Sequence, residues 1–74
     1  MRTYVTFGQA HAHSIAGRTY DADCVAVINC NTAEEGRTLA FDYFGSKFCF
    51  EYSEDRFNHS NMHYYPRGYI EVNP

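Results

Sequence analysis

The chain has no tryptophan, no Cys-x-x-Cys pair, no glycine-rich phosphate loop and no apolar run of membrane length. Each absence excludes something. Without closely spaced cysteine pairs there is no framework for a zinc ribbon or a thioredoxin-type redox site. Without a serine elbow or a metalloprotease helix motif, the usual hydrolase signatures are missing. No apolar stretch approaches the roughly 20 residues a membrane helix requires, and no signal-peptide pattern is present. A soluble, cytoplasmic protein is expected.

Basic residues are also scarce where acidic ones gather. Between positions 21 and 55, eight carboxylates (Asp21, Asp23, Glu34, Glu35, Asp42, Glu51, Glu54 and Asp55) face only Arg37 and Lys47, a net −6 within a chain of net −3. Broad nucleic-acid binding needs a basic surface, so direct nucleic-acid binding is not expected. An acidic middle suits a basic protein partner instead, or a surface that imitates a phosphate backbone.

Three cysteines, Cys24, Cys30 and Cys49, are an odd number. On one strand Cys24 and Cys30 would lie about 20 Å apart, far beyond the roughly 7 Å between Cα atoms that a disulfide tolerates. Free, structural thiols are expected.

Aromatics are plentiful. Seven Tyr and six Phe form 18% of a 74-residue chain. A domain this small buries only about 60% of the surface its unfolded chain exposes, so it needs a dense core. Most of the Phe rings belong there. Several Tyr belong at the surface or an interface, where the hydroxyl finds a partner.

The clearest local signal runs from Asn31 to Gly45. Thr32 followed by Glu35 is a capping box, which satisfies two backbone donors of a first helical turn. Gly45 can take the positive φ that closes a helix. Gly36, Leu39, Ala40, Tyr43 and Phe44 fall on one stripe, and the small Gly36 and Ala40 let the helix lie close to a sheet. Phe41 falls off that stripe, beside Arg37.

Around the helix the pattern is β. Residues 3–13 alternate, with Val5 and Phe7 opposite Tyr4 and Thr6. Residues 14–23 read as a hairpin connection, with a short bridge around Arg18–Tyr20. Cys24–Cys30 is apolar on both faces and β-branched, which marks a central strand. Lys47–Tyr52 alternates, with Phe48, Phe50 and Tyr52 on one face. Ser53–Phe57 suits a single helical turn, Asn58–His63 an irregular segment, and Tyr64–Gly68 a turn. Tyr69–Val72 closes as the last strand. The expected fold is a single α+β domain, β-β-α-β-β, with an antiparallel sheet of about four strands and one helix on one face.

Four groups of residues are candidates for chemistry. His11 and His13, at i and i+2 on a strand, share a face with Gln9 and lie about 6–7 Å apart, near enough to hold one metal ion. His59 and His63 would add ligands only if their segment were helical. Asp21 and Asp23 lack the further oxygen ligands that calcium or magnesium requires and read as a turn. A Cys–His nucleophile has its least implausible member in Cys49, but a chain this short leaves little room for a cleft beside a core, and no enzyme is expected. Tyr64, Tyr65, Arg67 and their aromatic neighbours are of the types enriched at protein interfaces.

In size, acidity and lack of catalytic motifs, the chain resembles the small anti-defence inhibitors encoded by bacteriophages, of the anti-CRISPR type. That resemblance implies a non-enzymatic protein, acting in the host cytoplasm without a cofactor. It would occupy a basic or nucleic-acid-binding surface of a host defence protein. From the residues themselves, Glu34, Asp42, Glu54 and Asp55 supply the acidic contact, with Phe41, Tyr64, Tyr65 and Arg67 as its apolar and hydrogen-bonding centre. The alternative is a small metal- or ligand-binding domain built on His11 and His13.

Overall fold

In the computed structural model, residues 1–8 and 12–73 are described. β1 (Arg2–Thr6) is followed by the short strands β2 (His13–Ile15) and β3 (Arg18–Tyr20), then β4 (Cys24–Asn29) and helix α1 (Ala33–Phe44). β5 (Phe50–Ser53), a 3-10 helix (His59–Tyr64) and β6 (Gly68–Glu71) complete the order. β2 and β3 form a separate hairpin, and the main sheet has the order β5-β1-β4-β6.

The expected α+β domain of four main strands and one helix is present, with one difference in the sheet. β1 pairs antiparallel with both β4 and β5, but β6 pairs parallel with β4. The sheet is therefore mixed rather than wholly antiparallel. The cause lies in the connections. Parallel neighbours need a crossover, and this chain makes two. Helix α1 carries it from β4 to β5 across one face. The segment from Glu54 to Tyr65, which holds the 3-10 helix, carries it from β5 to β6 across the other.

Each crossover roofs one face. Val5, Phe7, Cys24, Ala26 and Ile28 pack beneath Ala40 and Phe44 of α1, with Tyr20 from the hairpin. On the opposite face Tyr4, Val25 and Val27 pack beneath Phe57, with Met62 and Tyr65 partly buried beside them. This double cover is why β4 is apolar on both sides. Below its last residue the β4–β6 ladder continues through side chains: Asn29 and Asn73 exchange three amide hydrogen bonds of 2.7–2.9 Å.

The helix forms for the reasons its sequence states. The Thr32 hydroxyl accepts from the Glu35 N–H at 3.1 Å, and Glu35 reaches back to the Asn31 N–H at 3.0 Å. Glu34 and Glu35 also favour the positive end of the helix dipole. At the far end Gly45 has φ 60° and donates to the Phe41 carbonyl. Thr32→Ala should cost about 1 kcal/mol, read as a lowered urea midpoint with an unchanged slope.

Several local expectations are corrected. Tyr43, placed on the buried stripe, is exposed, and Leu39 is only half-buried. Residues 3–13 are not one strand, since β1 ends at Thr6. The strand expected over Lys47–Tyr52 begins only at Phe50. The chain bends at Cys49, so Phe48 packs toward the helix face against Phe41, whereas Phe50 and Tyr52 point to the other. Asn58–His63 is not irregular: Asn58 caps the 3-10 helix by accepting from the Ser60 N–H at 3.0 Å. The turn after β5 does form, with the Ser53 carbonyl accepting from Arg56 and Phe57.

None of the three thiols is in a disulfide. Cys24 and Cys30 are buried and Cys49 is exposed. Burial pushes the Cys24 thiol up, against the lowering effect of its hydrogen bond to the Asp21 carbonyl. A thiol reagent should therefore modify one group quickly in the native state and three after denaturation. Rapid native reaction of two or more would contradict the packing of β4.

Candidate functional site

β5 is a border strand. β1 pairs with one of its edges, and among the described residues no strand takes the other. The opposite border of the sheet is guarded, because the Arg18 guanidinium donates to the Glu71 carbonyl of β6. Side chains alternate along β5. Glu51 and Ser53, opposite Val5 and Thr3, face the helix side, and Phe50 and Tyr52, opposite Thr6 and Tyr4, face the other.

Three large rings around this edge stay in water. Phe50 is 59% exposed, Phe41 51% and Tyr64 67%. Phe41 rests against Phe48, ring centroids 5.1 Å apart, at the Phe50 end of the edge. Phe50 lines a groove of about 480 Å³ with Gly8, Cys49, Tyr64 and Tyr65. Tyr65 is half-buried, and burial, with smaller contributions from Tyr52 and Cys49, raises its phenol above the ordinary tyrosine range.

On the helix side a second groove, about 330 Å³, runs between α1 and β5 and is lined by Ala33, Glu34, Arg37, Glu51, Ser53 and Arg56. It holds two carboxylates and two guanidiniums, yet none of them pairs with another. The ion pairs among the described residues are Arg2–Glu71 at 3.7 Å and Arg67–Asp21 at 3.1 Å. Arg37 instead lies 5.9 Å from the Phe41 ring centroid.

The residues singled out from the sequence thus fall into separate places. Glu34 belongs to the charged groove, and Phe41 and Asp42 are exposed farther along α1. Glu54 and Asp55 are exposed on the turn after β5, where Glu54 accepts from the Arg2 N–H and Asp55 from the Ser53 hydroxyl. Tyr64 and Tyr65 join Phe50. Arg67 is not part of this surface; it is tied to Asp21 and donates its N–H to the Asp23 carbonyl, beside the start of β4. His11 lies outside the described residues. His13 opens β2 opposite Tyr20. Among the described residues no three His, Cys, Asp or Glu side chains gather to hold a metal ion. None of the helices described is long and apolar enough to cross a membrane.

Sequence reasoning missed Phe50, Glu51 and Arg56. The alternation sets Phe50 on one face with Phe48 and Tyr52, but the roof over Tyr4 and Val25 stops short of Phe50. Nothing in the local pattern marks β5 as a border strand. His59 was weighed as a ligand and is instead part of an aromatic cluster. It packs edge-on against Tyr4, centroids 5.0 Å apart at 89°, and hydrogen-bonds the Tyr69 hydroxyl. The signal for it was Asn58 ahead of Ser60, a helix cap in a segment read as irregular.

Compared with protein-family models, curated proteins and solved structures, the chain matches none.

Proposed function

We propose that this chain is a non-catalytic protein-binding module that docks through the β5 edge and its flanking rings. It acts in the manner of small phage-encoded inhibitors that cover a basic or nucleic-acid-binding surface of a host defence protein in the host cytoplasm. The observation that carries this reading is the outer edge of β5, which no strand among the described residues takes, with Phe41 and Phe50 exposed beside it and Tyr64 exposed in the groove that Phe50 lines. Exposed apolar rings grouped about one feature mark interaction surfaces. An open strand edge offers backbone donors and acceptors to an extended partner segment. The exposed carboxylates Glu34, Glu54 and Asp55 lie beside this edge, and together with Asp42 on α1 would steer a basic partner, more strongly at low salt.

Two variants test this. One replaces Phe41, Phe50 and Tyr64 with serine; the other reverses Glu34, Asp42, Glu54 and Asp55 to lysine. Exposed substitutions of this kind change stability by about 0.5 kcal/mol or less each, so both should fold. Protein captured from a lysate of defence-competent bacteria, quantified by mass spectrometry, should be lost with the ring variant and should show weakened, less salt-sensitive retention with the charge variant. Phage plating on cells expressing the chain should follow the same order. If a His13→Ala variant loses capture and protection while both surface variants keep them, the β5 surface is not the functional contact.

A further inference from the structure

Resting on that reading of the β5 edge, we infer that the partner segment is an extended strand in which basic and apolar residues alternate. Its apolar residues lie opposite Phe50 and Tyr52, and its basic residues opposite Glu51 and Ser53. The edge suits such a strand. Exposed edges are often blunted by lysine or proline, and Phe50–Ser53 holds neither. Residues directly opposite on neighbouring strands share a face. Partner residues opposite Phe50 and Tyr52 therefore lie on the aromatic side, where Phe50 is exposed and its ring stands 6.1 Å from that of Tyr52. Aromatic rings pair well across strands with β-branched side chains, so apolar residues complete that side.

The other two positions enter the groove between α1 and β5, and its Ser53 end is acidic. Gly36 sits against Thr3, the partner of Ser53, so the first turn of α1, with Glu34, lies at that end. Asp55 is held there too, accepting from the Ser53 hydroxyl at 2.8 Å. A partner residue opposite Ser53 therefore has two carboxylates beside it. A partner residue opposite Glu51 meets the Glu51 carboxylate itself, since directly opposed Cβ atoms lie only about 5 Å apart. Glu34, Glu51 and Asp55 belong to none of the ion pairs among the described residues. A lysine or arginine at either position gains a counter-ion that the folded chain leaves without one.

Two guanidiniums line the same groove and set the limit on its charge. Arg56 follows Ser53 by three residues, and Arg37 leans toward Phe41, 5.9 Å from that ring's centroid. Against them stand four carboxylates at or beside the edge: Glu34 and Glu51 in the groove, and Glu54 and Asp55 on the turn after β5. The excess is two negative charges, which two basic side chains match. Lys47 precedes the bend at Cys49 and does not line the groove. Alternation decides on which side each partner residue falls, whichever way the incoming strand runs. In a sheet extended this way, backbone hydrogen bonds supply affinity and the alternate side chains supply specificity.

The probe is the capped peptide Thr-Val-Lys-Val-Lys-Thr, titrated to millimolar concentration into the 15N-labelled protein at low salt. It is set against Thr-Val-Gln-Val-Gln-Thr, which lacks the charges, and Thr-Lys-Lys-Val-Val-Thr, which keeps them without the alternation. The first should shift the amides of Phe50–Ser53 and bind about fivefold more tightly than either of the others. Its advantage over the glutamine peptide should close at high salt. Glu51→Gln, with a folded spectrum, should reduce that advantage to about twofold. Three results would overturn the alternating basic pattern and leave the edge reading standing: equal binding of the lysine and glutamine peptides at β5, equal binding of the two lysine peptides there, or an unchanged advantage in Glu51→Gln. Shifts from no peptide, or only away from β5, overturn the pattern and the edge reading together. A dimer of the free chain in sedimentation that already occupies these amides gives the edge to a second copy and overturns the partner assignment.

Discussion

Phe44→Ala should remove a large share of the chain's stability at room temperature. Phe44 is the last residue of α1, and its ring meets those of Phe7 and Tyr20 at centroid distances of 5.1 Å, edge to face in both cases. It thereby ties the helix to the stacked pair of Phe7, just beyond β1, and Tyr20 of the hairpin strand β3, whose centroids lie 5.2 Å apart. Truncating a buried Phe costs about 3–5 kcal/mol through lost transfer energy and the cavity left behind. At about 0.05–0.15 kcal/mol per residue, a domain of this length has only about 4–11 kcal/mol in all. A urea melt should show the midpoint falling by a third or more, and the near-ultraviolet signal of Tyr20 should weaken. Phe44→Leu should recover roughly half the loss. A shift below about 1 kcal/mol for Phe44→Ala would mean that the helix is not seated on this cluster.

Gly36→Ala should also destabilise, against the direction that helix propensity alone dictates. Alanine in place of glycine inside a helix is ordinarily favourable by about 1 kcal/mol. Here the added Cβ would stand 1.8 Å from Thr3 Oγ1 and 2.8 Å from Thr3 Cβ, with Cys30 Sγ at 3.0 Å. The first two distances are below any real contact, so the helix must lift from β1 or the strand must shift. Overpacking of a tight core costs about 1–3 kcal/mol after relaxation, and that strain outweighs the propensity gain. Thr3 cannot simply turn away. It is fully buried, and its hydroxyl shares a 3.6 Å hydrogen bond with Cys30 Sγ. Thr3→Ala removes the closest contact, so the double variant should show a favourable coupling of about 1 kcal/mol in a thermodynamic cycle. A Gly36→Ala protein as stable as the parent would show that α1 sits farther from the sheet than described.

The sequence carries much of this, for local reasons. The capping residues Thr32 and Glu35, the closing Gly45 and the small Gly36 and Ala40 announce a helix pressed against a sheet, because caps and close approaches are written in single residues. The two-sided apolar run of Cys24–Cys30 announces a central strand. What it hides is non-local. That β6 lies parallel to β4 depends on two crossovers roofing opposite faces, and no residue in Gly68–Glu71 encodes a direction. That β5 is a border strand depends on which strand β1 accepts as its second neighbour. Phe50 therefore reads as core and Glu51 as ordinary surface, although together they define the candidate site. The exposed carboxylates are legible as such, but not that Arg37 and Arg56 line the same groove as Glu34 and Glu51.

The Asn29–Asn73 clasp has a consequence for how the molecule is made. The strand at the middle of the fold, β4, receives its second neighbour only from residues some 44 positions later. Until Asn73 has left the ribosome, one flank of β4 has no partner and the face beneath Tyr69 has no cover. Pairings between residues so distant must close large loops before any contact rewards them, which slows folding relative to chains built from neighbours. The nascent chain can raise its helix early, but the sheet completes only once synthesis has passed Asn73, and during that interval the apolar strand Cys24–Asn29 is within reach of chaperones.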